Sequence, residues 1–223
     1  VNFDNSLSIY CNEVFNQIAR DEKARDIRAS FLLAGAMLGR FGKAVMPMPG
    51  GCSIGLRPVD LHLKGFTSLG AECNIEQGMV NIEAKELKGN DVYLDFPSVG
   101  ATENIMLAGV LAKGETTISN CAIEPEIVDL AKFLNSIGAK ISGAGTDTIV
   151  IKGVNELGGC CHRVIPDRIE AGTFMIAVAG AGGNVKIQDV IPEQLRPVIS
   201  KLKEADVEVK EDENSVTVCS DGF

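Results

Sequence analysis

What most limits the fold of this chain is that it repeats itself. Asp95-Phe96-Pro97, Ile105-Met106-Leu107-Ala108 and Thr117-Ile118 line up, at one constant spacing, with Val164-Ile165-Pro166, Phe174-Met175-Ile176-Ala177 and Lys186-Ile187. Ser136-Ile137-Gly138-Ala139 likewise matches Ser68-Leu69-Gly70-Ala71, and Ile149-Val150-Ile151 matches Val216-Thr217-Val218. Ala34-Gly35 stands where Ala108-Gly109 stands in the following copy. A unit of roughly seventy residues therefore occurs about three times, with the first copy cut short on its N-terminal side. A recurring unit of this size cannot bury its apolar face alone, so the copies must stack on one another.

The middle copy is the most legible. Residues 92–95 predict a short strand and 97–100 a turn. Thr102 can cap a helix whose apolar residues Ile105, Met106, Leu107 and Leu111 spread around the axis, and a helix apolar on all sides belongs in the interior. Gly114 is expected to end it, ahead of a strand over 116–119. Glu124-Pro125-Glu126 opens a second helix, with Pro in the first turn and acids at the positive end of the dipole. Ile127, Leu130, Leu134 and Ile137 keep helical spacing and Gly138 stops it. Strands are expected over 139–142 and Thr148–Lys152, joined by the Gly143-Ala144-Gly145-Thr146-Asp147 turn. The unit reads βαβαββ, an α/β class in which one helix of each unit goes inside and the sheets go outside.

The 223 residues carry 21 Lys and Arg against 30 Asp and Glu, a formal net charge of −9. That sign disfavours nucleic acid and anionic membrane surfaces as partners, although a few placed arginines still suit a small anion. No apolar run approaches the eighteen or so residues of a membrane span and no signal segment opens the chain, so a soluble, cytoplasmic protein is expected. Seven cysteines lack disulfide-framework spacing, and two histidines, His62 and His162, give no zinc pattern. No metal or cofactor is expected, and the thiols are expected to be reduced and mostly small core residues. The chain opens on Val1 rather than Met, which suggests processing or a piece of something longer.

Chemistry concentrates in one loop. Pro47-Met48-Pro49-Gly50-Gly51-Cys52-Ser53-Ile54-Gly55 defeats both helix and strand by composition, and puts a thiol on a Gly-Gly tip. Arg57-Pro58-Val59-Asp60-Leu61-His62 follows, with Arg25, Arg28 and Arg40 upstream. This suits acid or nucleophilic work by Cys52 on an anionic substrate held by Arg, since a thiol near its ordinary pKa can donate a proton as well as attack. Plainer readings stand beside it. His62 falls in the helical pattern Val59, His62, Leu63, Phe66, Leu69 near the buried stripe, and Asp60 suits a helix start. Gly180-Ala181-Gly182-Gly183 reads as a helix-end turn, not a phosphate loop. Ser98-Val99-Gly100-Ala101-Thr102 offers small residues and free N–H groups at a helix N-terminus, a geometry that favours anions.

Several segments then fall into a familiar order. They are Arg28-Ala29-Ser30, the block from Pro49 to His62, Pro97-Ser98-Val99-Gly100-Ala101-Thr102-Glu103-Asn104, Glu124-Pro125-Glu126-Ile127-Val128-Asp129-Leu130, Gly138 to Asp147, and Pro166-Asp167-Arg168-Ile169-Glu170. Together they resemble the UDP-N-acetylglucosamine 1-carboxyvinyltransferases, enolpyruvyl transferases of peptidoglycan synthesis. The resemblance implies two domains, each an inside-out α/β barrel of three βαβαββ units. Here it implies a Cys-loop domain over 1–160, truncated at its start, a crossover near 157–165, and one unit of the partner domain over 161–223. It implies UDP-N-acetylglucosamine and phosphoenolpyruvate as substrates, with no cofactor. Cys52 would protonate the phosphoenolpyruvate methylene and form a covalent adduct with it. Arg28 would sit at the phosphoenolpyruvate pocket, and Arg57 would reach it on closure. Arg57, Pro58, Val59, Asp60, Leu61 and His62 would form the nucleotide-sugar segment. Ser98 and Val99 would meet the uridine diphosphate, with Phe96, Pro97 and Gly100 beside them. Some relatives carry a basic residue where Phe96 stands. The Lys-Asn pair, the general-base Asp and a C-terminal Arg of the family have no match in this chain, so the chain alone is expected to turn over negligibly. Two alternatives stay open: a non-catalytic nucleotide-sugar binding module with a vestigial Cys loop, and another enolpyruvyl transferase.

Overall fold

The computed structural model describes residues 6–11, 14, 24, 26–49 and 58–222. The chain divides into two compact units, Val1–His162 and Arg163–Phe223.

In the first unit a 3-10 turn, Arg28–Leu32, runs into helix α1 (Leu33–Phe41), which ends on the left-handed Gly42. Strand β1 (Lys43–Pro47) follows, then helix α2 (Asp60–Ser68) and strands β2 (Glu72–Glu76) and β3 (Met79–Glu83). These strands form an antiparallel sheet in the order β1-β3-β2, with Val45 opposite Asn81 and Ile75 opposite Val80. The next copy is complete: β4 (Asp91–Tyr93), α3 (Val99–Gly109), β5 (Glu115–Ser119), α4 (Pro125–Ser136), β6 (Lys140–Ser142) and β7 (Thr148–Lys152). Its sheet has the order β4-β5-β7-β6. β4 runs parallel to β5 because a helix crosses between them, and the other pairs are antiparallel. The βαβαββ reading therefore holds element by element in this copy.

α3 is the interior helix that its composition demands. Ala101, Ile105, Met106 and Ala108 are fully buried, and it packs on α1, α2, β5 and β7. Gly65 of α2 exists for that contact, since a Cβ there would run into the Ile105 side chain. β2 lies on the outside, and Glu72, Asn74, Ile75 and Glu76 along it are exposed.

The second unit holds α5 (Arg168–Ala181), β8 (Gly183–Gln188), α6 (Pro192–Glu204), β9 (Glu208–Glu211) and β10 (Ser215–Ser220), with an antiparallel sheet ordered β8-β10-β9. Its core gathers around Met175, Leu195, Val216 and Val218.

Three expectations are corrected. The cap of α3 is Ser98 and not Thr102: Ser98 has the extended backbone a cap needs, and its Oγ accepts the Ala101 N–H at 3.4 Å. Thr102 is buried inside the helix, where its hydroxyl donates to the Ser98 carbonyl at 2.8 Å and accepts the Ala122 N–H at 3.1 Å. The helix also stops at Gly109, and Gly114, at φ 94°, serves the turn into β5 instead. Among the described cysteines only Cys121 is buried; Cys11, Cys160 and Cys161 are exposed. Cys160 and Cys161 lie outside helix and strand, where no core is available to them. No helix of the described residues is long and apolar enough to cross a membrane.

Candidate functional site

Cys52 and Arg57, the residues the sequence singles out most strongly, lie outside the described residues. The structure does place the segments on either side. Pro58 is exposed, Val59 caps α2 and is buried, and Asp60 is an exposed first-turn acid. Leu61 turns into the core. Phe96 is 55% exposed and Pro97 is exposed, while Ser98, Val99 and Gly100 are half-buried at the start of α3. A Lys64–Asp95 ion pair at 2.9 Å joins α2 to the loop that carries Phe96 and Pro97. Asn120 fixes the same loop by donating to the Leu94 carbonyl at 2.7 Å.

His62 and Gly100 meet where α2 crosses α3. A Cβ at Gly100 would lie 3.1 Å from His62 Cε1 and 3.5 Å from Nε2, so the absence of a side chain at Gly100 lets the ring sit against the helix start. Phe31 presents its ring to the other side of His62, edge to face at 5.1 Å. His62 is 5% exposed, and its pKa falls to about 4. Burial is the main cause; the Arg28 guanidinium adds to it, and Asp60 pulls the other way. The ring is therefore neutral at physiological pH. Arg28 itself is exposed at the start of the 3-10 turn.

Sequence reasoning missed Asn104. It is fully buried on α3, where Oδ1 accepts the Gly35 N–H at 2.7 Å and Nδ2 reaches the Phe31 carbonyl at 3.1 Å and His62 Nδ1 at 2.8 Å. A regular α-helix would join Gly35 N–H to the Phe31 carbonyl, and the Asn104 amide occupies both ends of that bond where the 3-10 turn becomes α1. The signal was present: an amide among the apolar residues of a buried helix must be hydrogen-bonded.

Electrostatics at the N-terminus of α3 suit an anion. The first-turn N–H groups carry the positive end of the helix dipole. Glu103, one turn in, is pushed up to about 7, by burial first and then by Glu126 and Glu124. A carboxyl that is partly protonated at neutral pH opposes an anion less than an ionised one.

A family model described as EPSP synthase (3-phosphoshikimate 1-carboxyvinyltransferase) matches residues 2–222. The chain belongs to the EPSP synthase family. Relatives within reach of this family member include UDP-N-acetylglucosamine 1-carboxyvinyltransferase 1 of Caldanaerobacter subterraneus subsp. tengcongensis, 59% identical over 88% of this chain and 48% of the relative. UDP-N-acetylglucosamine 1-carboxyvinyltransferase 2 of Carboxydothermus hydrogenoformans is 54% identical over 98% of this chain and 53% of the relative. The chain thus spans about half the length of the curated relatives it matches. Among solved structures, the enolpyruvyl transferase NikO from Streptomyces tendae superposes with a TM-score of 0.70 at 24% identity, covering 87% of this chain and 47% of that one. EPSP synthase from Acinetobacter baumannii gives 0.59 at 25% identity, covering 87% and 46%. These neighbours bear out the enolpyruvyl-transferase fold, of which this EPSP synthase family chain holds an incomplete, unclosed part.

Proposed function

We propose that the protein this chain represents transfers enolpyruvyl from phosphoenolpyruvate to the 3-hydroxyl of UDP-N-acetylglucosamine, with release of phosphate. One observation carries the reading. Identity is 54–59% to relatives named for that nucleotide sugar, against 24–25% to the NikO and EPSP synthase structures. The geometry supports it, because a helix N-terminus with a small first turn, Ser98-Val99-Gly100, suits a diphosphate.

In this reading the 3-hydroxyl gives up its proton to a general base as the sugar oxygen attacks C2 of phosphoenolpyruvate, while Cys52 delivers a proton to C3. Protonation at C3 makes C2 an oxocarbenium-like electrophile, and Arg28 and Arg57 offset the phosphate and carboxylate charge. The tetrahedral adduct then loses its C3 proton, its C2–O bond to phosphate breaks, and the enol ether remains. Pro58, Val59, Asp60 and His62 line the nucleotide-sugar side with Ser98 and Val99. Phe96 and Pro97 flank it, and the Leu61 side chain serves the core beneath. Water-soluble substrates and the absence of a described membrane-crossing helix fit a cytoplasmic place of action.

The test is intact mass and peptide mapping after exposure of the chain to a phosphoenolpyruvate-like epoxide, with and without UDP-N-acetylglucosamine. A single adduct on Cys52, increased by the nucleotide sugar, is expected. Equal labelling of several cysteines, indifferent to the nucleotide, favours the non-catalytic module.

A further inference from the structure

Asn104 has an orientation that its surroundings dictate. The Gly35 N–H can only donate and the Phe31 carbonyl can only accept. The amide must therefore face Gly35 with Oδ1 and Phe31 with Nδ2, and a flip would set donor against donor and acceptor against acceptor at 2.7 and 3.1 Å. The second hydrogen of Nδ2 then points at His62 Nδ1, 2.8 Å away. That nitrogen has to present a lone pair, so the ring proton resides on Nε2. Nε2 has no partner among the described residues and lies on the side of the ring that faces Gly100, in the first turn of α3.

We infer that Asn104 is a positioning residue, which locks His62 in the Nε2–H tautomer and aims that neutral donor at the N-terminus of α3, toward a phosphate of the bound nucleotide sugar. The phosphate part rests on the function proposed above; the tautomer part does not. The same amide holds together three segments that carry candidate site residues. Arg28 opens the turn that contains Phe31, Asp60 opens the helix that contains His62, and Ser98 caps the helix that contains Asn104. The charged groups that bear on the ring are Arg28 and Asp60. Arg28 and burial both oppose an imidazolium, and so does Asn104, because a proton on Nδ1 would confront the Nδ2 hydrogen.

Two measurements on the whole chain test this. The first is the 15N spectrum of the His62 ring in the unaltered protein, which needs no variant to fold. An acceptor-type Nδ1 and a protonated Nε2, unchanged from pH 8 down to about 5, are expected. A protonated Nδ1, or a ring that titrates near the ordinary histidine value, overturns the proposal. The second is calorimetric titration with UDP-N-acetylglucosamine in a double-mutant cycle. Asn104→Asp keeps the acceptor for Gly35 but removes the donors to Phe31 and His62. It should weaken binding about tenfold, and add little once His62→Phe is present. Loss of thermal stability with unchanged affinity of the folded variant, or an undiminished effect in the His62→Phe background, leaves Asn104 a structural residue only and the proposal fails. An unaltered chain that binds no nucleotide sugar overturns the functional reading and the phosphate part with it, while the ring spectrum still decides the tautomer part.

Discussion

α3 and α5 hold the same position in the repeat, and in both the apolar residues spread around the axis, yet they are buried differently. In α3, Ile105 and Met106 are fully buried. In α5 the matching Met175 is buried but Phe174 is 56% exposed and Ile176 58% exposed. α3 has α1 and α2 of the preceding copy against it as well as its own sheet. Within its unit α5 has α6, β8 and β10. Composition states what a helix is able to bury; the number of repeat copies around it decides what it does bury. The enclosure of α3 also supplies the partners that let it bury an amide, since Gly35, Phe31 and His62 on the neighbouring segments satisfy Asn104.

The widest separation should come from truncating the matched pair. Ile105→Ala should cost about 3 kcal/mol, through lost transfer energy and a cavity that α1 and α2 cannot fill. Phe174→Ala should cost under about 1 kcal/mol, because most of that ring is already in water. Urea denaturation followed separately by amide signals of each unit measures both, and equal costs would end the comparison. Acid should act next, and on the first unit, which holds His62. Folding holds His62 near 4 against an ordinary 6.5, so the unfolded chain binds more protons between those values. The stability tied to this group is complete above pH 6.5 and is lost as pH falls toward 4, by about 3 kcal/mol in all. A His62→Gln variant should flatten the slope of stability against pH over that range. The smallest effect concerns Glu103, whose raised pKa makes the fold less stable as pH climbs from 4.5 to 7. Glu103→Gln should therefore stabilise the first unit at pH 8, by roughly 1 kcal/mol after solvent screening, and do far less at pH 5. A gain of the same size at both pH values would mean that packing, not charge, is responsible.

Much of this architecture was legible because periodicity and helix punctuation are local. The Pro125 start and the left-handed Gly138 stop of α4 fell where expected, as did β7. The cap of α3 was misread because Ser98 and Thr102 are both good caps by type, and only the backbone conformation distinguishes them. Asn104 escaped because its partners Gly35 and Phe31 are 69 and 73 residues away in sequence. His62 was legible as both a helix-face residue and a candidate site residue; the structure shows the first, with its ring buried against Phe31 and Asn104 and one edge at the start of α3. The exposed cysteines show the converse, since residue type alone says little about burial outside regular elements.

The central claim is that the start of α3, with His62 and Gly100 against it, receives the diphosphate of UDP-N-acetylglucosamine. Calorimetric titration of the chain with that nucleotide sugar, and separately with 3-phosphoshikimate, tests it most directly. Saturable binding of the nucleotide sugar, weakened about tenfold by Gly100→Val, and no binding of 3-phosphoshikimate, is the predicted result. Binding of 3-phosphoshikimate in its place, or nucleotide-sugar binding indifferent to Gly100→Val, would contradict it.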